Sequence, residues 1–237
     1  MFLAMNIHAQ ERTVENRPYT DLRPFHFGVL VGTHVQDLEL SNVGPMSYTN
    51  EDGVEVPFQV AVDQDRWDAG FTVGVAAEVR LSTYLQFRLA PTMYFGSHHL
   101  TYRNIKESEE QGRTIEERQD MKTAYIGATM DMIFAAPRFN NHRPYLLGGI
   151  TPMYNLSGNK DEHIKLKKSD LMLALGVGCD FYLPYFKLRP ELKFMFGLSN
   201  VYDKNHQKDV KDQNMLPYTL STNRVKSKII ALTFYFE

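Results

Sequence analysis

Nine charged residues share one feature: each sits between two apolar or proline neighbours in a segment of strict alternation. They are Glu78, Arg80, Arg88, Asp131, Asp180, Lys187, Arg189, Glu191 and Lys193. Acids and bases confined to one face of a strand have two chemical uses. They can pair as buried salt bridges, because an isolated charge away from water is costly. They can also line a path for protons or ions. Pairing is the simpler expectation, since both signs are present.

Signs of catalysis are sparse. The chain has no Walker sequence, no Gly-x-Ser-x-Gly and no His-Glu-x-x-His. His98, His99, His163 and His206, with Glu109, Asp161 or Asp203, fall in polar stretches that read as loops. They could form an Asp–His site at the mouth of a scaffold, but solvated surface residues are the plainer expectation. Residues 203–209 carry spaced acids like a calcium loop, without its central glycine or closing Glu. A single cysteine, Cys179, excludes an internal disulfide and a Cys-based zinc site. No enzyme, metal or cofactor is expected.

The elements that position the charges alternate with period two, the mark of strands with two unlike faces. Eight such segments occur, at 25–35, 70–81, 84–96, 123–135, 144–156, 170–183, 186–198 and 226–237. In 70–81, Phe71, Val73, Val75, Ala77, Val79 and Leu81 oppose Gly70, Thr72, Gly74, Ala76, Glu78 and Arg80. In 186–198, Phe186, Leu188, Leu192, Phe194, Phe196 and Leu198 oppose Lys187, Arg189, Glu191 and Lys193. A tilted strand crosses hydrocarbon in about 9–11 residues. The links 36–69, 97–122 and 199–225 are long, 157–169 is intermediate, and 82–83, 136–143 and 184–185 are short. The pattern predicts an all-β, eight-stranded, antiparallel, up-and-down transmembrane barrel of the outer-membrane type.

A soluble lipocalin-like barrel also has eight alternating strands, with the apolar face inward. Volume argues against it: an eight-stranded interior just accommodates side chains, and the apolar face is rich in Phe, Leu and Met. The other face carries Gly28, Gly32, Gly74, Gly127, Gly149, Gly176, Gly178 and Gly197. Glycine on a solvated strand only weakens it, whereas in a narrow lumen it makes room for larger neighbours. The Gly-rich face is therefore assigned to the lumen, together with the nine charges as structural residues. The apolar face, Cys179 included, is assigned to lipid. Phe25, Phe134, Phe181, Phe186 and Phe236 read as half of an aromatic girdle. Pro91, Pro152 and Pro190 interrupt the pattern and require bulges or non-donating positions. Trp67, at the end of the first link, is an interface anchor or a packing residue.

Composition agrees with this reading. The chain has 237 residues, 43% apolar and 23% charged, with a net charge of −2. These values exclude a disordered chain and a global basic field for nucleic acid. A mean hydropathy of −0.36 does not argue for solubility, because alternation hides the apolar residues of a membrane barrel. Residues 1–10 read as the remnant of a signal peptide, cleaved near Ala9 or Gln10, without a basic start; a plain tail is the alternative. Residues 11–23 then form an N-terminal periplasmic segment, and 24–237 one barrel domain.

Several stretches carry a resemblance. They are His26 to Leu38, Gly70 to Gly74, Pro137 to Tyr145, Gly178 to Pro184, Pro190 to Phe194, Gly197 to Asn200 and Leu232 to Glu237. In their order and coverage, from about residue 23 to the end, they resemble the PorT family of Bacteroidetes outer-membrane proteins. The resemblance implies work in type IX secretion and gliding motility and export of cargo with a C-terminal signal domain; the eight-stranded meander itself predicts both mature termini on the periplasmic side. It implies other outer-membrane and periplasmic components of that machinery, and the lipid bilayer, as partners. No catalytic residue, nucleic acid or small-molecule substrate comes with it. A small barrel with ligand-binding or adhesin-like loops is the alternative, and a lipid-modifying enzyme a third reading.

Overall fold

The computed structural model describes residues 14–49, 53–157, 164–203 and 215–237. Strand β1 (Phe25–Asn42) leads into three short strands, β2 (Met46–Thr49), β3 (Glu55–Phe58) and β4 (Val60–Asp63). The long strands β5 (Asp68–Arg80) and β6 (Leu85–Asn104) follow, then helix α1 (Ile105–Gln111) and strand β7 (Glu116–Ala135). Strands β8 (His142–Asn155), β9 (Ser169–Tyr182) and β10 (Lys187–Gly197), helix α2 (Leu216–Leu220) and strand β11 (Thr222–Phe236) complete the chain.

Eight antiparallel strands form a ring in the order β1-β5-β6-β7-β8-β9-β10-β11. The ring closes where β11 returns to β1, from Val29 opposite Phe236 to Asn42 opposite Thr222. Closure removes the free edges that an open sheet would present to lipid. No helix among the described residues is long and apolar enough to cross a membrane; the strands form the wall.

The two faces of that wall differ as alternation requires. Phe27, Val29, Val31, Phe71, Val75, Leu146, Leu175 and Val177 are exposed on the outside. Leu30, Thr72, Ala76, Thr92, Thr129, Ala174 and Ala231 are buried inside. An exposed apolar belt around a closed polar lumen is stable in lipid, not in water. Phe25, Phe134, Phe186 and Phe236 point outward at the short-turn end, where the Phe186 and Phe236 rings lie 5.9 Å apart. Phe181 lies at the same end beside His142. Trp67, 44% exposed, precedes β5 at the opposite end.

The prolines occupy breaks in the ladder. Pairing of β5 with β6 skips from Gly74–Thr92 to Ala77–Leu89, leaving Pro91 in the gap. Pro152 falls in the gap between β7 and β8, and Pro190 in that between β9 and β10. Each keeps its register with its other neighbour: Pro91 with Ala128, Pro152 with Leu171 and Pro190 with Phe234. The missing donor thus weakens one side of the strand only.

Four strands outrun the sequence pattern by several residues. β1 continues to Asn42, β6 to Asn104, β7 begins at Glu116 and β11 at Thr222, so the links there are shorter than alternation predicts. The physical reason is an inversion of polarity. Within the belt most of the large apolar residues point out, as far as Val35 on β1 and Phe95 on β6, while a minority such as Leu30 and Ala76 point in. Beyond it Leu38, Leu100, Tyr102, Met121 and Val225 point inward and pack with Phe58, Val60, Val62, Ile164, Val201 and Tyr202. This crown core buries what the belt exposes, and the change of phase hides the extensions from a periodicity search.

Val75→Arg and Leu175→Arg should each cost about 2–4 kcal/mol if they sit near the bilayer midplane. Urea unfolding of protein refolded into lipid vesicles measures this, and Lys122→Glu, an exposed change above the belt, should be close to neutral.

Candidate functional site

The lumen is built from the inward positions of all eight ring strands. Glycine decides what fits there. Gly178 of β9 lies between Glu191 of β10 and Tyr145 of β8 in the pairing register. A Cβ at Gly178 would collide with the Tyr145 ring. Without it, Tyr145 reaches across β9 and donates its hydroxyl to Glu191 Oε2 at 3.0 Å.

Two arginines occupy the centre. Arg88 donates Nε to Glu78 Oε1 and Nη1 to Glu191 Oε2, both at 2.5 Å, and its guanidinium lies 4.2 Å over the Tyr235 ring. Arg189 donates Nε to Asp180 Oδ1 at 2.5 Å and Nη1 to Glu78 Oε1 and to Glu237 Oε1. Lys193 joins Asp131 at 2.7 Å and Glu191 at 3.2 Å. Lys187 pairs with Glu237 Oε2, and the same oxygen lies 3.5 Å from His26 Nδ1. Eight of the nine charges singled out in the sequence therefore meet in the lumen. Arg80 is the correction. It ends β5 at the rim, half-exposed, and donates to the backbone carbonyls of Leu22 and Ser82. The N-terminal segment and the turn offer it acceptors beside solvent, so it has no reason to turn inward.

Other lumen residues carry no distinguishing signal in the sequence. Glu237 follows Tyr235 by two positions and shares its inward parity, but as the last residue it carries no downstream pattern. Tyr145 and Tyr235 stand between apolar neighbours and read as more of the same. Arg143, His26, His34 and Gln36 are buried as well.

The short-turn mouth is covered by the N-terminal segment. Arg17 donates to the Glu237 carbonyl at 2.9 Å, and Asn16 bonds to both Asn141 and Tyr182. Arg138 lies 3.7 Å over the Tyr182 ring while donating to the carbonyls of Asn16 and Arg17. Asp21 accepts from the Tyr182 hydroxyl at 2.6 Å and faces Arg143 at 3.5 Å. Arg17 adopts φ +51°, a left-handed conformation disfavoured for a side-chain-bearing residue, and these bonds hold it there.

At the other end, His98 and His99 belong to strand β6 rather than to a loop. His98 is buried, and its Nδ1 lies 3.0 Å from Gln64 Oε1. Because Gln64 Oε1 also accepts from the Leu38 N–H, His98 Nδ1 is the donor in that contact. His99 Nδ1 is 2.6 Å from Asp68 Oδ1, with Asp120 at 3.7 Å on its other nitrogen. This is an Asp–His pair with a second acid where a nucleophile would stand. Among the described residues no group of three or more His, Cys, Asp or Glu side chains is placed to hold a metal ion. Cys179 faces outward, half-buried, as a free thiol. Glu109 is exposed on α1. His163, His206, Asp161 and the calcium-like stretch after Asp203 lie outside the described residues, as does the signal-peptide reading of 1–10. Above the crown core, an open cleft of ≈ 540 Å³ lies between β2–β3, α1 and α2.

A closed ring of eight strands, an apolar belt and a charged lumen describe a membrane barrel, and a family comparison agrees. The family described as "Outer membrane protein beta-barrel domain" matches residues 8–203, from before β1 to beyond β10. The chain belongs to this family. Among solved structures it is similar to the outer membrane protein OprG from Pseudomonas aeruginosa, at 13% identity and a TM-score of 0.48, over 90% of this chain and 94% of that one. Neisserial surface protein A is similar at 12% identity and a TM-score of 0.42, over 90% and 98%. So is Ail of Yersinia pestis, solved with the heparin analogue sucrose octasulfate, at 12% identity and a TM-score of 0.37, over 90% and 99%. None of the curated proteins matches the chain.

Two measurements probe this outer-membrane barrel. Glu191→Ala takes one of two acid partners from both Arg88 and Lys193 and leaves the buried network one negative charge short, and it should cost about 3–5 kcal/mol in unfolding free energy. The second concerns His98, above the apolar belt, where burial pushes the imidazole down to about 4. An unfolded histidine binds its proton near pH 6.5, so the folded state is favoured above that pH and loses stability as pH falls toward 4. Between pH 7 and pH 5 the loss should be about 2 kcal/mol, and His98→Gln should remove that part of the pH dependence.

Proposed function

We propose that the chain is an outer-membrane component of the type IX protein secretion machinery, needed for export of cargo with a C-terminal signal domain. The carrying observation is the obstructed lumen. Arg88, Arg189, Lys193 and their carboxylates bridge the bore from several strands, and residues 16–21 cover one mouth. An eight-stranded bore filled this way offers no route for solutes. The work of the barrel then lies at its two ends, as expected of an assembly part. The specific machinery is supported by the ordered resemblance of His26 to Leu38, Pro137 to Tyr145 and Leu232 to Glu237 to the PorT family. In this reading the lumen charges are structural, the short-turn end with both termini faces the periplasm, and partners from the same machinery dock at the ends. No catalytic step is part of it.

A second reading, a small barrel whose outer loops bind a ligand, is favoured by the cleft beside α1 and α2.

Deleting the gene should abolish export of signal-bearing cargo, and export at wild-type levels would overturn the assignment. Single cysteines placed within 41–49 or 53–66 should react with an impermeant reagent on intact cells, and those at 139–142 should not. Glu191→Ala should lower barrel abundance, with secretion falling in proportion. Arrested secretion at normal abundance would instead point to an ion path.

A further inference from the structure

The cleft at the long-loop end has a composition that selects its occupant. Its floor is rigid. Phe58 is buried in the crown core, and Tyr48 and Tyr218 pack against that core. The Tyr48 and Phe58 rings meet edge-on at 5.9 Å, and Tyr218 meets Tyr102 in the same way at 5.6 Å. Helix α1 forms one wall. Its first turn is held by Asn104, which accepts from the Glu107 N–H at 3.2 Å, and Gly112 ends it at φ +65°. Three carboxylates line the space, Glu107, Glu110 and Glu117, against one ammonium, Lys106. Lys106 is already engaged, donating to the Pro57 carbonyl at 3.1 Å and lying 4.0 Å from Glu110. Glu107 is fixed by Asn104 and Gln111, each at 2.9 Å. Burial, then the Glu117 carboxylate, push the Tyr218 phenol above its ordinary pKa. The side chain of Glu110 is 66% exposed and is the carboxylate most open to a newcomer.

We propose that this cleft binds a short basic peptide segment in which Lys or Arg alternates with an apolar residue. Aromatic faces beside carboxylates suit a cation carried on an apolar stem, because the stem packs on the rings while the charge meets the acids. An anionic ligand would face three carboxylates. A volume of ≈ 540 Å³ exceeds what one ammonium group fills and lies within the range of about 300–1,000 Å³ for ligand sites. The floor is preorganised by the crown core, so little ordering cost falls on the protein. The site rests on the cleft alone and stands whether or not the export reading does.

The test uses the full chain refolded in zwitterionic detergent and a fluorescently labelled, acetylated Arg-Leu-Lys-Leu-Arg peptide. Its Glu-Leu-Glu-Leu-Glu counterpart is the control, and binding is read by anisotropy at about 0.15 M salt. The basic peptide should bind at least about tenfold more tightly than the acidic one. Glu110→Lys should weaken it by a further factor of about ten, and Tyr48→Ala by about five. Both positions lie outside the ring, and a heat-dependent mobility shift on unboiled gels verifies that each variant folds. Equal binding of the two peptides would overturn the proposal. So would basic-peptide binding that neither substitution changes.

Discussion

Glu78 Oε1 accepts hydrogen bonds from both central arginines of the lumen, Arg88 and Arg189, and much of the barrel interior depends on that shared contact. Two guanidinium groups would repel each other without it. With it, each is free to reach a second acid, Glu191 for Arg88 and Asp180 for Arg189. The acids come from β5, β9 and β10, so the pairing ties together strands far apart around the ring. In a low-dielectric bore such a network tolerates no missing member, because each removal leaves an unpaired charge. The aromatic rings of Tyr145 and Tyr235 complete it by covering the guanidinium faces.

The network also gathers the chain ends. Glu237 adds its side chain to Arg189 and Lys187 and its carbonyl to Arg17, so both described ends of the chain meet at the short-turn mouth. The N-terminal segment is thereby part of the barrel rather than a tail beside it. At the other end, the inward turn of the apolar residues builds a second core above the belt, and helix α2 packs on it through Tyr218 and Leu220. The molecule is thus a plugged cylinder with a firm crown.

Alternation made the eight strands legible, along with the side of each that carries glycine and charge. It did so because a closed wall between lipid and a polar bore imposes two environments on neighbouring residues. It also showed that the charges of β10 share a face. It did not show the crown. There Leu38, Leu100 and Met121 keep the inward parity that belongs to polar residues lower down, and the period-two signal cancels.

What the sequence determined by itself is the local rule: which residues face out, which face in, and roughly how many strands the wall needs. The tertiary structure alone decided the partners. Glu78 and Glu237 are separated by most of the chain yet share Arg189, because closing the ring of strands brings β5 next to β1 and the end of β11 beneath both. Arg80, with the same parity as Glu78, is excluded because the N-terminal segment offers it carbonyls at the rim. Pairing inside a barrel depends on shear and closure, which are properties of all eight strands together, and no single segment carries that information.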